Sequence, residues 1–186
     1  MLFNQHSELA GKHAFLSASK YHWIRYTDEK LEETYKKQLA AQQGTILHDW
    51  AAQTITLGIK MARSKTTLNM YVNDAIGYRM TPEQVLYYSD NAFGTADAIS
   101  FRKGVLRIHD LKTGSSPASM DQLMIYVALF CLEYEIKPGS IEIELRIYQN
   151  DEVVVHVPEL DDILHIMDRI IAADRRIMEL RMEAQL

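Results

Sequence analysis

The chain has 186 residues, 47 % of them hydrophobic and 24 % charged, with a formal net charge of −5 and one cysteine, Cys131. That length and balance fit a single globular domain with its own hydrophobic core. One cysteine excludes an internal disulfide framework and any four-cysteine zinc or iron–sulfur centre, and the acidic balance weighs against broad, charge-driven nucleic-acid binding.

The first eighty residues read as helical. Ser17 or Ser19 can cap a short helix through Trp23 and Ile24. Asp28-Glu-Lys-Leu-Glu-Glu33 opens a polar helix that runs to about Gln43. Gly44-Thr45 marks a break and a new cap, and Ile46, Leu47, Trp50, Ala51, Ile55 and Leu57 form a helical apolar stripe through Met61. Another amphipathic helix is expected from Thr67 to Tyr78, and Thr81-Pro82-Glu83 is expected to turn the chain. The start, Met1-Leu-Phe-Asn-Gln-His-Ser-Glu8, lacks the basic and apolar blocks of a signal peptide, and no apolar run is long enough for a membrane span. A cytoplasmic protein with no membrane partner is the expectation.

Residues 84–90, 93–101 and 105–112 read as three strands. Lys103-Gly104 supplies the turn between the second and third. Thr113-Gly-Ser-Ser-Pro-Ala-Ser119 is a loop whose last serine can cap a helix from Met120 to about Glu135. Cys131 follows Tyr126-Val-Ala-Leu-Phe130 on that helix and reads as a buried, inert thiol. Beyond Pro138-Gly139, Ile141, Ile143, Leu145 and Ile147 alternate with polar residues as a half-buried strand. Asn150-Asp151 turns it into a second strand around Val153–Val157, and Pro158 ends the hairpin. A long charged helix follows over 159–183. The order is an α/β or α+β sheet flanked by helices. Within one domain, 1–186, the helical part covers about 1–80, the sheet core 81–157 and the last helix 158–186.

Chemistry concentrates between residues 94 and 126. Asp110 and Lys112 are two apart on one strand, so both side chains enter the same cleft. The hairpin folds the strand of Asp97 back beside Asp110, and two carboxylates so placed can share one divalent ion, Mg²⁺ or Mn²⁺. Gln122 and Tyr126 are i and i+4, on one helix face. The bland alternative is an ordinary exposed ion pair at a strand end. His109 points away from the cleft and reads as structural; His156 and His165 read as surface residues. Arg169, Arg175, Arg176 and Arg181, interleaved with acids, read as a solvated face. Lys20, Arg25, Lys36, Lys37, Arg63, Lys65, Arg102 and Lys103 are the candidate basic points of a nucleic-acid groove.

Five segments in order carry a resemblance: Leu16-Ser-Ala-Ser19, Gly44-Thr-Ile-Leu-His48, Gly94-Thr-Ala-Asp97, His109-Asp-Leu-Lys-Thr-Gly114 and Gln122-Leu-Met-Ile-Tyr126. Together they resemble the PD-(D/E)XK nuclease superfamily, in its RecB-like, phage and prophage exonuclease branch, with Ala96 in place of the proline. The resemblance implies a restriction-endonuclease-like fold and a metal-dependent deoxyribonuclease, an exonuclease of recombination, repair or DNA processing in a bacterial or phage setting. It implies that Asp97, Asp110, the Leu111 carbonyl and His48 are metal ligands. Lys112 would position water or offset charge on phosphorus, and Gln122 and Tyr126 would hold the site and contact the DNA backbone. The sequence has no Walker motif, so a helicase or recombination protein would be a separate partner chain. The alternative is a catalytically silent nuclease fold that binds nucleic acid or a host protein.

Overall fold

A computed structural model describes residues 3–114 and 116–184. The chain divides into two compact units, residues 1–43 and 44–186. The first holds two short 3₁₀ segments, Ser7–Leu9 and Ala18–Arg25, and the polar start of helix α1. The second segment departs from helical geometry at Lys20. Ser17 occupies its cap position, but the hydroxyl bonds that of Ser19 at 2.7 Å instead of a backbone N–H. Trp23 Nε1 donates to the Ser17 carbonyl at 3.0 Å, and Phe15 meets Tyr35 edge-on at 5.0 Å. Lys30 and Lys37 both pair with Glu33 in exposed i,i+3 and i,i+4 contacts.

Helix α1 spans Asp28–Thr56 without the interruption expected at Gly44-Thr45. Gly44 is buried, and a Cβ built on it would lie 2.8 Å from Oγ1 of Thr113. The glycine therefore serves a close approach of the loop after Lys112, not a helix end. The helix stops before the expected Met61, and Gly58 takes up φ +67° just beyond it. Helix α2 follows at Thr67–Gly77.

Five strands form one sheet in the order β1-β2-β3-β4-β5, with β1 Thr81–Ser89, β2 Ala92–Arg102, β3 Val105–Leu111, β4 Glu142–Gln149 and β5 Glu152–His156. Neighbours are antiparallel except β3 and β4, which are parallel and joined through helix α3, Asp121–Glu133. A parallel pair needs such a crossover. Two of the three hairpin turns fall where the sequence places them: Lys103 and Gly104 take φ +52° and +78°, and Asn150 and Asp151 take +51° and +60°. Both are two-residue connections of the kind that matches strand twist. Thr81-Pro82-Glu83, expected as a turn, is instead the start of β1, with Thr81 opposite Ile99 and Pro82 opposite Ala98. Proline is tolerated because β1 is an edge strand. Ser119 does meet the start of α3: its Oγ accepts the Asp121 N–H at 3.1 Å.

Both sheet faces are covered. Leu106 and Ile108 of β3, with Leu145 and Ile147 of β4, pack against Leu123, Val127 and Phe130 of α3 and Ile163 of helix α4, Leu160–Glu183. On the other face Leu111 and Tyr148 pack with Ala51 and Ile55 of α1 and Tyr71, Val72 and Ala75 of α2. The protein is thus a mixed α+β fold with a five-stranded mixed sheet flanked by helices. Cys131 is buried in the α3 layer, which pushes its thiol up to about 11. Among the described residues, no helix is long and apolar enough to cross a membrane.

Candidate metal centre

The β2–β3 ladder pairs Ala98 with His109 and goes no further toward the site. Asp97 and Asp110 come next, one on each strand, so the two carboxylates sit where regular pairing ends. Leu111 then donates its backbone N–H to Oδ2 of Asp97 at 2.8 Å. A charge-assisted bond of this kind fixes the carboxylate and the Leu111 peptide together. On the other side, Lys112 N–H continues the β4 contact by donating to the Tyr148 carbonyl at 2.9 Å.

Asp110 lies on β3 and Lys112 just beyond its end, and the Lys112 side chain turns toward α3. Lys112 Nζ donates to Oδ1 of Asp110 at 3.1 Å and to Oε1 of Gln122 at 2.8 Å. Gln122 in turn donates from Nε2 to the Tyr126 hydroxyl at 3.0 Å. The i,i+4 pair on α3 thus forms a short relay that holds the ammonium. Gly94 makes room for it: a Cβ there would lie 2.9 Å from Cε1 of Tyr126.

Asp110 is only 2 % exposed. Its Oδ2 lies 3.0 Å from Lys112 Nζ but makes no hydrogen bond, and it is a buried oxygen without one among the described residues. Burial first, and the Asp97 charge second, push the Asp110 carboxyl up from its ordinary range. Lys112 offsets part of that shift. A carboxylate this buried, beside a second carboxylate and balanced by one half-buried ammonium, is costly, and a further cation would lower that cost.

His48, on α1, reaches the same cleft. Its Nδ1 lies 3.4 Å from Oδ2 of Asp97, and that contact raises its pKa against the opposing effect of burial. One further donor, Glu83, was not evident from sequence. Donor atoms of His48, Glu83 and Asp97 all lie within 4.8 Å of one another. The register leaves Glu83 directly across from Asp97, between the pairs Pro82–Ala98 and Gln84–Ala96. Glu83 holds φ +49°, a left-handed conformation rare for a side chain of this size inside a strand. Burial, then the Asp97 charge, raises its pKa. The signal for Glu83 was the register itself: a β1 started three residues earlier would have set it opposite the first aspartate.

The residues singled out from sequence are joined by contacts: His48 meets Asp97, Asp97 accepts from the Leu111 N–H, and Lys112 bonds Asp110 and Gln122, which bonds Tyr126. Carboxylate oxygens and one imidazole suit a hard or borderline divalent ion. Repulsion of Asp97 with Asp110 and with Glu83 favours a cation there. His109 lies on the opposite face, as read from sequence; its Nδ1 is 3.2 Å from the Tyr148 hydroxyl, which donates to Asp74 at 2.7 Å. Arg146 bonds the same Asp74 carboxylate at 3.0 Å. Of the basic points, Arg102 and Lys103 join Arg79 and Arg107 around a groove at the far end of the β2–β3 hairpin. Lys36 and Lys37 are taken up by Glu32 and Glu33.

Comparison with known proteins finds no matching family model, no matching curated protein and no matching solved structure.

Proposed function

We propose that this chain is a divalent-metal-dependent deoxyribonuclease with a restriction-endonuclease-like fold, of the RecB-like PD-(D/E)XK kind, acting on DNA ends. The observation that carries the reading is Asp110: a buried carboxylate pushed upward by burial and by the Asp97 charge, ion-paired with an ammonium tied to Gln122, beside the donor cluster of His48, Glu83 and Asp97. A purely structural ion pair has no need of three further metal-type donors in the same cleft.

Asp97, Asp110, His48 and the Leu111 carbonyl would hold Mg²⁺ or Mn²⁺, with Glu83 as an additional donor. The bound ion supplies Lewis-acid polarisation of a phosphoryl oxygen and activation of water. The chain's own residues do the rest. Asp97 is oriented by the Leu111 N–H on its Oδ2. Lys112 is held by two acceptors on different elements, Asp110 and Gln122, which fixes its charge where negative charge develops on phosphorus. The Tyr126 hydroxyl, which accepts from Gln122, keeps its own proton to donate to a phosphate oxygen. Pre-set groups of this kind need no rearrangement during the reaction.

The test is digestion of end-labelled linear and closed-circular DNA with Mg²⁺, Mn²⁺ or EDTA, beside Lys112→Ala. Metal-dependent loss of linear DNA alone, absent in the variant, is the expected result. Nicking of the circle would replace end-directed action by internal cleavage. No cleavage with either metal, but retained DNA binding, would overturn the enzyme in favour of a silent nuclease fold.

A further inference from the structure

The two edges of the sheet are treated differently. On β1, Pro82 has no N–H to offer, the Tyr87 N–H is taken by Oε2 of Glu133 at 2.9 Å, and Gln84 Nε2 donates to the Val85 carbonyl at 2.7 Å. Glu83 also bends that strand through its positive φ. These are devices that keep an edge from pairing with another chain. Strand β5 has none of them. It pairs only with β4, and among the described residues no side chain or backbone group bonds its outer edge. It contains no proline, glycine or lysine, and Val154, Val155 and, just beyond it, Val157 are 54 %, 53 % and 68 % exposed. Valines have high strand propensity, so this edge is a ready template for another strand.

The sequence of the edge says which strand fits. Glu152-Val-Val-Val-His156 is complementary to itself when reversed. The two-residue turn at Asn150-Asp151 closes on the pair Gln149–Glu152, and alternation from there turns the backbone groups of Val153 and Val155 outward. An antiparallel copy centred on Val154 sets Val153 opposite Val155 and Glu152 opposite His156, twice by symmetry. The register therefore matches backbone donors to acceptors and an acid to an imidazole. A groove that Val157 and Leu160 line together with Ile141, Ile143 and the charged Arg107, Glu142 and Glu144 begins where the strand ends, and Leu160 and Leu164 of α4 are 46 % and 41 % exposed. This area extends what the short strand alone would bury, toward the roughly 800 Å² per subunit of a stable interface.

We infer that the outer edge of β5 is a homodimer interface, joining two copies through antiparallel β5–β5 pairing into one continuous ten-stranded sheet. The pairing is isologous, so it closes at two copies and does not propagate. It is independent of the nuclease reading, because no residue of the metal centre takes part.

The experiment is light scattering coupled to size exclusion of the full chain, with sedimentation velocity over a concentration series. Wild type is expected at twice 21.4 kDa. Val155→Lys, which places a charge on the pairing edge, is expected to raise the dissociation constant by about 100-fold or more. Glu152→His sets two imidazoles against each other and is expected to weaken pairing by about 2- to 30-fold, from two cross-strand pairs. The exchange Glu152→His with His156→Glu restores the complement and should restore the dimer. Because Glu152 is exposed, this pair of variants stays informative even where Val155→Lys fails to fold. A wild-type chain that is monomeric at about 100 μM overturns the inference. So does a dimer unmoved by Val155→Lys and by Glu152→His, which would place the contact elsewhere.

Discussion

A Cβ on Gly94 would stand 2.9 Å from Cε1 of Tyr126, closer than carbon atoms pack. The glycine of the Gly94-Thr-Ala-Asp97 segment is thus a seat for the ring whose hydroxyl ends the Lys112–Gln122–Tyr126 relay. Gly94→Ala should cost about 1–3 kcal/mol by overpacking and lower the melting temperature. Tyr126→Ala removes the obstacle, so the double variant should lose less stability than the two single losses added together. Additive losses in a double-variant cycle would show that the ring simply moves aside.

The Lys112 ammonium bonds Asp110 and Gln122, and the side chain is partly exposed. Lys112→Ala should therefore leave the circular dichroism spectrum unchanged while lowering the cleavage rate by about 10²–10³-fold, the usual effect of removing one preset group that stabilises transition-state charge. Asp110→Asn should abolish metal-dependent cleavage with little change of melting temperature in EDTA, because the carboxylate removed is repelled by Asp97 and the amide oxygen still accepts from the partly exposed Lys112. A large loss of stability in EDTA would mean that the carboxylate serves the fold and not a cation.

Glu83 separates metal binding from backbone strain. Glu83→Gly removes a donor and also relieves a side-chain-bearing residue at φ +49°, a conformation that costs about 1–3 kcal/mol. Stability without metal should rise. Glu83→Gln keeps the strain and removes the charge. Both variants should bind Mn²⁺ more weakly by calorimetry, and both should show a smaller melting shift on adding Mn²⁺ than wild type. For wild type that shift reflects about 2.7 kcal/mol at one hundred times the dissociation constant. Equal Mn²⁺ affinity in all three proteins would remove Glu83 from the ligand set.

His109 gives a pH dependence with a definite sign. Burial first, then the Arg146 and Arg107 guanidiniums, hold its pKa down at about 3. In the unfolded chain the imidazole takes up its proton near pH 6.5. Between about pH 6.5 and 3 the unfolded state binds more protons, so this group's contribution is present above that window and is lost as pH falls through it, by about 1.4 kcal/mol per unit. Asp110 and Glu83, shifted upward by burial, slope the other way, so the comparison is with His109→Gln. The wild type should lose urea stability faster than the variant from pH 6.5 to 4. Parallel curves would show that His109 titrates freely in the fold.

Much of this was legible because local chemistry decided it. Lys103-Gly104 and Asn150-Asp151 read as turns because few other residues accept the left-handed backbone of a tight hairpin. Asp110 and Lys112 read as neighbours because strand alternation leaves no choice. Gly44 was misread because a glycine in a helical pattern signals a break unless something presses on it, and what presses is Thr113, 69 positions away in sequence. Glu83 was missed because Thr-Pro-Glu has the composition of a turn, whereas pairing with β2 draws it into a strand against its backbone preference.

The sequence by itself determined most kinds of element, two of the three hairpin turns and the pairing of Asp110 with Lys112 and of Gln122 with Tyr126, since these follow from periodicities of 2 and 3.6 and from turn chemistry within a few residues. Only the tertiary structure decided that β3 and β4 run parallel, that Glu83 stands across from Asp97, that Asp110 keeps one oxygen unbonded, and that β1 is guarded while β5 is bare. Each of these depends on which distant segments meet, and the packing free energy that selects such meetings is a property of the whole core and of no single stretch of chain.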